Sequence, residues 1–105
     1  MAHRVVLRPD AVADLKSIFT YVAEQAGFDA AARYDRRLRD ACGTLADFPN
    51  RGTPREDLAP GLRSIPFERR ATIYYVVERE AVRIVRILHA GRDPGREFAG
   101  ARGPQ

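Results

Sequence analysis

An α+β fold is predicted, with elements in the order β-α-α-β-β-β and a helical hairpin packed on one face of a mainly antiparallel four-stranded sheet. Three observations predict it. The first half of the chain places apolar residues at three- and four-residue spacing, the period of helices that bury one face. The second half places runs rich in Ile, Val and Tyr between charged junctions, as strands of a meander do. Between the halves, residues 49–61 (PNRGTPREDLAPG) hold three prolines and two glycines, which interrupt either period. Two helices and a sheet each need one covered face, and laying the hairpin on the sheet satisfies both.

Taken in order, His3 to Leu7 (HRVVL) is a short apolar run and reads as the first strand. Pro9 suits the first position of a helix, where its missing N–H costs nothing, and Asp10 sits near the positive end of the helix dipole. The stripe Val12, Leu15, Phe19, Val22 and Ala26 defines that helix, and Gly27 stops it. Asp29 is expected to cap a second helix whose stripe is Ala31, Tyr34, Leu38, Ala41, Leu45 and Phe48, with Pro49 ending it. Arg33, Arg36, Arg37, Arg39 and Asp40 fall mostly on its other faces. The short turn between the stripes makes the helices an antiparallel hairpin.

Three strands follow: Gly61–Phe67, Ala71–Glu78 and Ala81–His89. Pro66 cannot donate to a ladder, which puts the first of them at an edge or beside a bulge. Strict alternation places Arg83, Val85, Ile87 and His89 on one face and Val82, Ile84, Arg86 and Leu88 on the other. Arg86 and His89 then point apart unless a bulge intervenes. Tyr74 and Tyr75 also alternate, so one packs in the core and the other meets solvent or a partner; alternation alone does not say which. In GRDPG, Gly91 and Pro94 end the last strand, and residues 1–98 form a single domain with 99–105 as a flexible tail.

A chain of 105 residues with 45% apolar content suffices for one core. No apolar run approaches the ~20 residues of a membrane-spanning helix, and the start lacks a signal-peptide h-region, so a cytoplasmic, membrane-free protein is expected. Cys42, the only cysteine, lies among apolar helix positions and reads as a small buried residue. No cofactor motif is present. His3 reads as an exposed terminal residue, and neither His3 nor His89 has a second metal-ligand type at ligand spacing. Residues 1–50 carry seven basic and seven acidic side chains, so the net charge of +4 belongs to residues 51–105. Seventeen of the 18 basic residues are Arg, a side chain suited to bidentate contact with carboxylate or phosphate. An acidic partner fits that half, and so does a merely solvated arginine surface.

Three phrases carry a family likeness: RPDAVADLKSIFTYV at the first helix, GTPREDLAPGLRSIPF through the loop, and IVRILHAGRD at the last strand. Together they resemble a RelE/ParE-superfamily toxin of a type II toxin–antitoxin system, closer to the ParE branch, from about Val5 to Asp93. The resemblance implies growth arrest, a cognate antitoxin (ParD-like or similar) that wraps the toxin as a heterodimer or higher assembly, and operator DNA reached only through that antitoxin. ParE-like members are associated with poisoning of DNA gyrase, and RelE-like members with cutting mRNA in the ribosomal A site.

An RNA-cleaving version needs a base, an acid and cations that steady the phosphorane, roles for which Arg70, Arg86 and His89, with Glu56, are the candidates. Relative to those nucleases, Ala71 or Thr72 stands near the place where they present an Arg, with Arg69 and Arg70 one or two residues early. The tail GRDPGREFAGARGPQ also lacks their Tyr, although Phe98 could stack on a base. The non-nuclease branch is therefore favoured, with no catalytic residues. The alternatives are a ribosome-dependent endonuclease or a non-toxic binding module of the same fold. Arg63, Tyr74, Arg86, His89 and Arg92 are the candidates for contact with antitoxin or target. Beside that role stand plainer ones: His89 as a hydrogen-bonded strand end, and Arg92 with Asp93 as a local ion pair.

Overall fold

The computed structural model describes residues 4–101, so His3 lies outside the described part of the chain. Strand β1 (Arg4–Leu7) runs into helix α1 (Pro9–Ala26), which is followed by helix α2 (Phe28–Thr44). Pro9 opens α1 and Asp10 lies in its first turn, as the sequence implies. The whole connection between the helices is Gly27. Its N–H donates to the Ala23 carbonyl (2.8 Å) to close α1, and its own carbonyl accepts the Ala31 N–H (3.1 Å) to open α2. Gly27 therefore occupies the cap position expected for Asp29, which stands instead within the first turn of α2. A φ of 97° allows this one-residue corner and disfavours any side chain. Gly27→Ala meets no steric obstacle outside its own backbone, so its cost is conformational alone. About 1 kcal/mol is expected, read from the urea midpoint at unchanged m-value.

The apolar stripes have the expected period and a slightly different phase. In α1 the buried residues are Ala11, Leu15, Ile18 and Val22, while Val12 and Phe19 form a partly buried flank and Ala26 is exposed. Phe19 packs edge-on against Phe28 at 5.4 Å. In α2 the buried residues are Ala31, Tyr34, Leu38 and Cys42, with Ala41 half-buried. The helix ends at Thr44, so its period does not extend to Phe48, which is 65% exposed. Burial pushes the Cys42 thiol up to about 11, leaving it protonated and unreactive at neutral pH.

The remaining elements are β2 (Thr53–Pro54), β3 (Leu62–Phe67), β4 (Ala71–Val77), β5 (Ala81–His89) and α3 (Pro94–Ala101). Among the described residues the sheet has five strands, one more than expected, in the order β1-β5-β4-β3-β2. Only β1 is parallel to its neighbour, pairing Arg4–Leu7 with Ala81–Ile84. The added strand is a two-residue piece of the proline-rich loop, paired with Arg63 and Ser64. It stops short of Pro66, which pairs with Thr72 on one side and lies past the end of β2 on the other.

The bulge that strict alternation would exclude is present. Tyr74 pairs with Arg86 and Tyr75 with Ile84, so Val85 is the extra residue in β5. Side-chain parity reverses across it. Val82, Ile84 and Ile87 share the helix-side core, whereas Val85 joins Leu88 on the other face. The expected grouping of Ile84 with Leu88, and of Val85 with Ile87, is thereby corrected. Arg86 and His89 lie beyond the bulge and remain on opposite sides.

That other face is covered as well. Leu58, Leu62, Tyr74 and Leu88 pack with Phe98 of α3, a helix that runs into the stretch expected to be a flexible tail. Tyr74 and Tyr75 are both buried, in different cores. Tyr75 also fastens the loop: its hydroxyl donates to the Pro49 carbonyl and accepts the Gly52 N–H, each at 2.9 Å. Arg63 reinforces this by donating to the carbonyls of Asn50 (3.1 Å) and Gly52 (2.7 Å).

Candidate functional site

At the end of the sheet, Glu68 (φ 51°) and Arg69 (φ 60°) form a tight turn closed by the Arg70 N–H on the Phe67 carbonyl (3.0 Å). Two successive left-handed residues are the signature of a type I′ turn, here without the usual Gly or Asn. Strain of about 1–3 kcal/mol per residue must be offset by neighbouring contacts. One such contact is the bidentate pair from Arg37 of α2 to Glu68, at 2.8 and 3.0 Å. The Ala90 N–H then donates to the Arg70 carbonyl (2.6 Å), extending the β4–β5 ladder and bringing Arg70 beside His89.

The His89 imidazole turns toward the helices. It meets the Tyr21 ring edge-to-face at 5.2 Å and the Tyr34 ring at 6.3 Å. Its Nε2 is buried without a hydrogen-bond partner, and so is the Tyr34 hydroxyl. The Arg70 guanidinium lies 6.0 Å from the centre of the Tyr34 ring, and Arg37 lies 5.5 Å from it. Burial first, and the Arg70 charge second, lower the His89 pKa below its ordinary value. The folded protein therefore binds fewer protons at this residue than the unfolded chain once the pH drops toward about 6.5. Stability present above that pH is lost on acidification through it. Between about pH 7.5 and 5.5 the thermal midpoint is expected to fall. His89→Gln should flatten that dependence, and an unchanged slope in the variant would refute the assignment.

Three open clefts meet at His89 and Ala90. One, of about 380 Å³, lies under the C-terminal half of α1 and is bounded by Tyr21, Gln25 and Arg70. A second, of about 360 Å³, lies toward α3 and includes Arg69, Arg70, Thr72 and Arg92. A third, of about 270 Å³, runs between Ser17, Tyr21 and Arg92.

Of the candidates named from sequence, Arg70, His89 and Arg92 come together here and the others are engaged within the fold. Arg86 is 18% exposed and donates twice to Asp14 of α1, both at 2.8 Å, and once to Glu97 of α3 at 3.2 Å. Asp14 also accepts the Ile87 N–H (2.8 Å), taking the place of a strand on the edge of β5 beyond the end of β1. Tyr74, proposed as a contact residue, is 4% exposed and lies edge-on to Phe98 at 5.1 Å. Arg63 belongs to the loop latch. Glu56 accepts the Gly61 N–H (3.0 Å) within the β2–β3 loop. Arg92 pairs with Glu97 (2.7 Å), five residues on, rather than with the adjacent Asp93, which accepts the Gly95 N–H. Glu97 is held below the usual carboxylate range, chiefly by its bond from Arg92.

Sequence reasoning missed Tyr21, Gln25 and Asp14. The signal was there for two of them: an aromatic and an acid standing off the apolar stripe of α1, where neither serves the hairpin core. Among the described residues no group of three His, Cys, Asp or Glu side chains is placed to hold a metal, and no helix is long and apolar enough to cross a membrane.

Comparison with known proteins agrees with the architecture. The model of a family described as ParE toxin of type II toxin-antitoxin system, parDE, matches residues 5–94. Toxin ParE1 of Mycobacterium tuberculosis is 30% identical over 98 residues, which are 93% of this chain and all of that protein. Toxin ParE1 of Caulobacter vibrioides is 37% identical over 79 residues, 75% of this chain and 80% of that protein. A solved structure described as a chromosomal ParDE TA system from P. aeruginosa superposes with a TM-score of 0.74. It is 22% identical and covers 84% of this chain and 96% of that one, a likeness of fold.

Proposed function

Because the chain belongs to the ParE toxin family of type II toxin–antitoxin systems, we propose that it arrests growth by inhibiting DNA gyrase and is neutralised by a cognate ParD-like antitoxin. The observation that carries the non-nuclease reading is the state of the would-be acid–base group. His89 Nε2 is buried against aromatic rings without a hydrogen-bond partner, which speaks against an acid–base role, and Arg86 is held by Asp14 and Glu97. The antitoxin is expected to cover the hairpin flank, where Phe28 is largely exposed, together with the sheet end at His89 and Arg92. Operator DNA is then reached through the antitoxin.

One observation favours a second reading: Arg70 does stand beside His89, as a ribosome-dependent endonuclease would require. The two differ in a direct assay. Purified protein added to gyrase, supercoiled plasmid and ATP is expected to accumulate cleaved gyrase–DNA complexes, and a translated message in the same preparation is expected to stay intact. A-site cuts that disappear in Arg70→Ala, without gyrase complexes, would overturn the proposal in favour of the nuclease. Coexpression of a cognate ParD-like antitoxin should restore growth to cells arrested by this chain.

A further inference from the structure

The rims of the clefts around His89 carry side chains of two kinds, cationic and aromatic. Arg70 borders the cleft under α1 and also the one toward α3, while Arg69 and Arg92 border the latter. The carboxylates nearby are already bound: Glu68 to Arg37, Glu97 to Arg86 and Arg92, and Asp93 to a backbone N–H. Arg69 and Arg70 are exposed, and among the described residues neither stands in an ion pair, although Arg70 is near enough to Glu68 to help lower its pKa. Tyr21 lies off the core stripe of α1, is 51% exposed, and is braced by His89 in an edge-to-face contact. Gln25, one turn further along the same helix, is exposed and borders the same cleft.

An exposed, braced ring beside exposed arginines that stand outside any ion pair is a combination that holds single strands: bases stack on the ring, and the backbone follows the cations. The volume under α1, about 380 Å³, lies within the range of about 300–1,000 Å³ seen for small-ligand sites. We propose that this end of the sheet binds an unpaired segment of nucleic acid, with a base stacked on Tyr21, its edge within reach of Gln25, and the flanking phosphates held by Arg70 and Arg69. A duplex keeps its bases away from such a ring. An acidic peptide would use the arginines and leave Tyr21 and Gln25 idle, so dependence on the aromatic separates the two occupants. The inference does not require gyrase to be the target, and its test uses the toxin and an oligonucleotide alone.

Fluorescence anisotropy of a short labelled oligodeoxythymidylate, titrated with the full chain at several salt concentrations, is the measurement. Binding is expected to weaken as salt rises. Tyr21→Ala should loosen it about tenfold with the salt slope unchanged, and Tyr21→Trp should bind at least as tightly as the parent. Arg70→Gln should loosen it and reduce the salt slope by about one. Arg36→Gln, on the exposed side of α2, should leave it unchanged. Equal affinity for a duplex of the same length would overturn the proposal. So would an undiminished affinity in Tyr21→Ala, or displacement of the strand by polyglutamate at an equal charge concentration, which would point to an acidic peptide instead.

Discussion

Asp14→Ala is expected to lower the free energy of unfolding by about 3 kcal/mol, the cost of leaving one member of a largely buried ion pair without the other. The carboxylate has two jobs, since it receives both arms of Arg86 and also the Ile87 N–H where β1 no longer covers β5. At 12% and 18% exposure, neither Asp14 nor Arg86 is rescued by bulk water when its partner is removed. Asp14→Asn should cost less than Asp14→Ala, because its amide oxygen can still accept from Ile87 while the charge on Arg86 goes uncompensated. Arg86→Lys should also be destabilising, since one ammonium cannot reproduce the fork that reaches Asp14 and Glu97 together. Urea denaturation of the three variants tests this ordering. If all three lie within about 0.5 kcal/mol of the parent, the pair is a surface contact in energetic terms.

The same ion pair shows why part of this fold could be read from sequence and part could not. Helical period, prolines and β-branched runs are local properties, so the two helices, the three long strands and the loop were legible. The bulge at Val85 was not, because it depends on how β4 and β5 settle against two cores at once, and one inserted residue exchanges the faces of Ile84 and Val85. Helix α3 was hidden for a related reason. PGREFAGA is short, holds two glycines and offers one large apolar residue, Phe98, whose burial depends on the pocket made by Tyr74, Leu88 and Leu62. No period within eight residues announces that.

The candidate site divides along the same line. His89, Arg70 and Arg92 could be named because each stands at an element end rich in charge, but their separation from Arg86 required the sheet. Asp14 and Glu97 claim Arg86 from helices 72 and 11 residues away in the chain, and although Asp14 stands off the apolar stripe, local sequence does not name the partner it finds. Tyr21 and Gln25 were overlooked because they belong to the face of α1 that the hairpin leaves free. That face acquires meaning only when the sheet end is laid beside it.

Gly52→Ala is expected to cost about 3 kcal/mol, combining overpacking with the loss of a buried hydrogen bond. A Cβ at residue 52 would run into the Tyr75 hydroxyl and approach the Ser64 carbonyl to 2.9 Å. The hydroxyl cannot move aside freely, since it is fixed between the Pro49 carbonyl and the Gly52 N–H and its ring lies wholly within the core. The Ser64 carbonyl belongs to β3 and is fixed by the sheet. Tyr75→Phe alone should cost about 1 kcal/mol, for the hydrogen bonds it deletes. The double variant is the informative one: removing the hydroxyl opens the space the new methyl needs, so its cost should fall well below the sum of the two single costs. Strict additivity would mean that the Ser64 backbone, and not the Tyr75 hydroxyl, is the obstacle. Because Arg63 donates to the Gly52 carbonyl (2.7 Å), the same displacement should free that arginine from the loop. Amide exchange across residues 49–55 should then rise in Gly52→Ala and return toward the parent rate in the double variant.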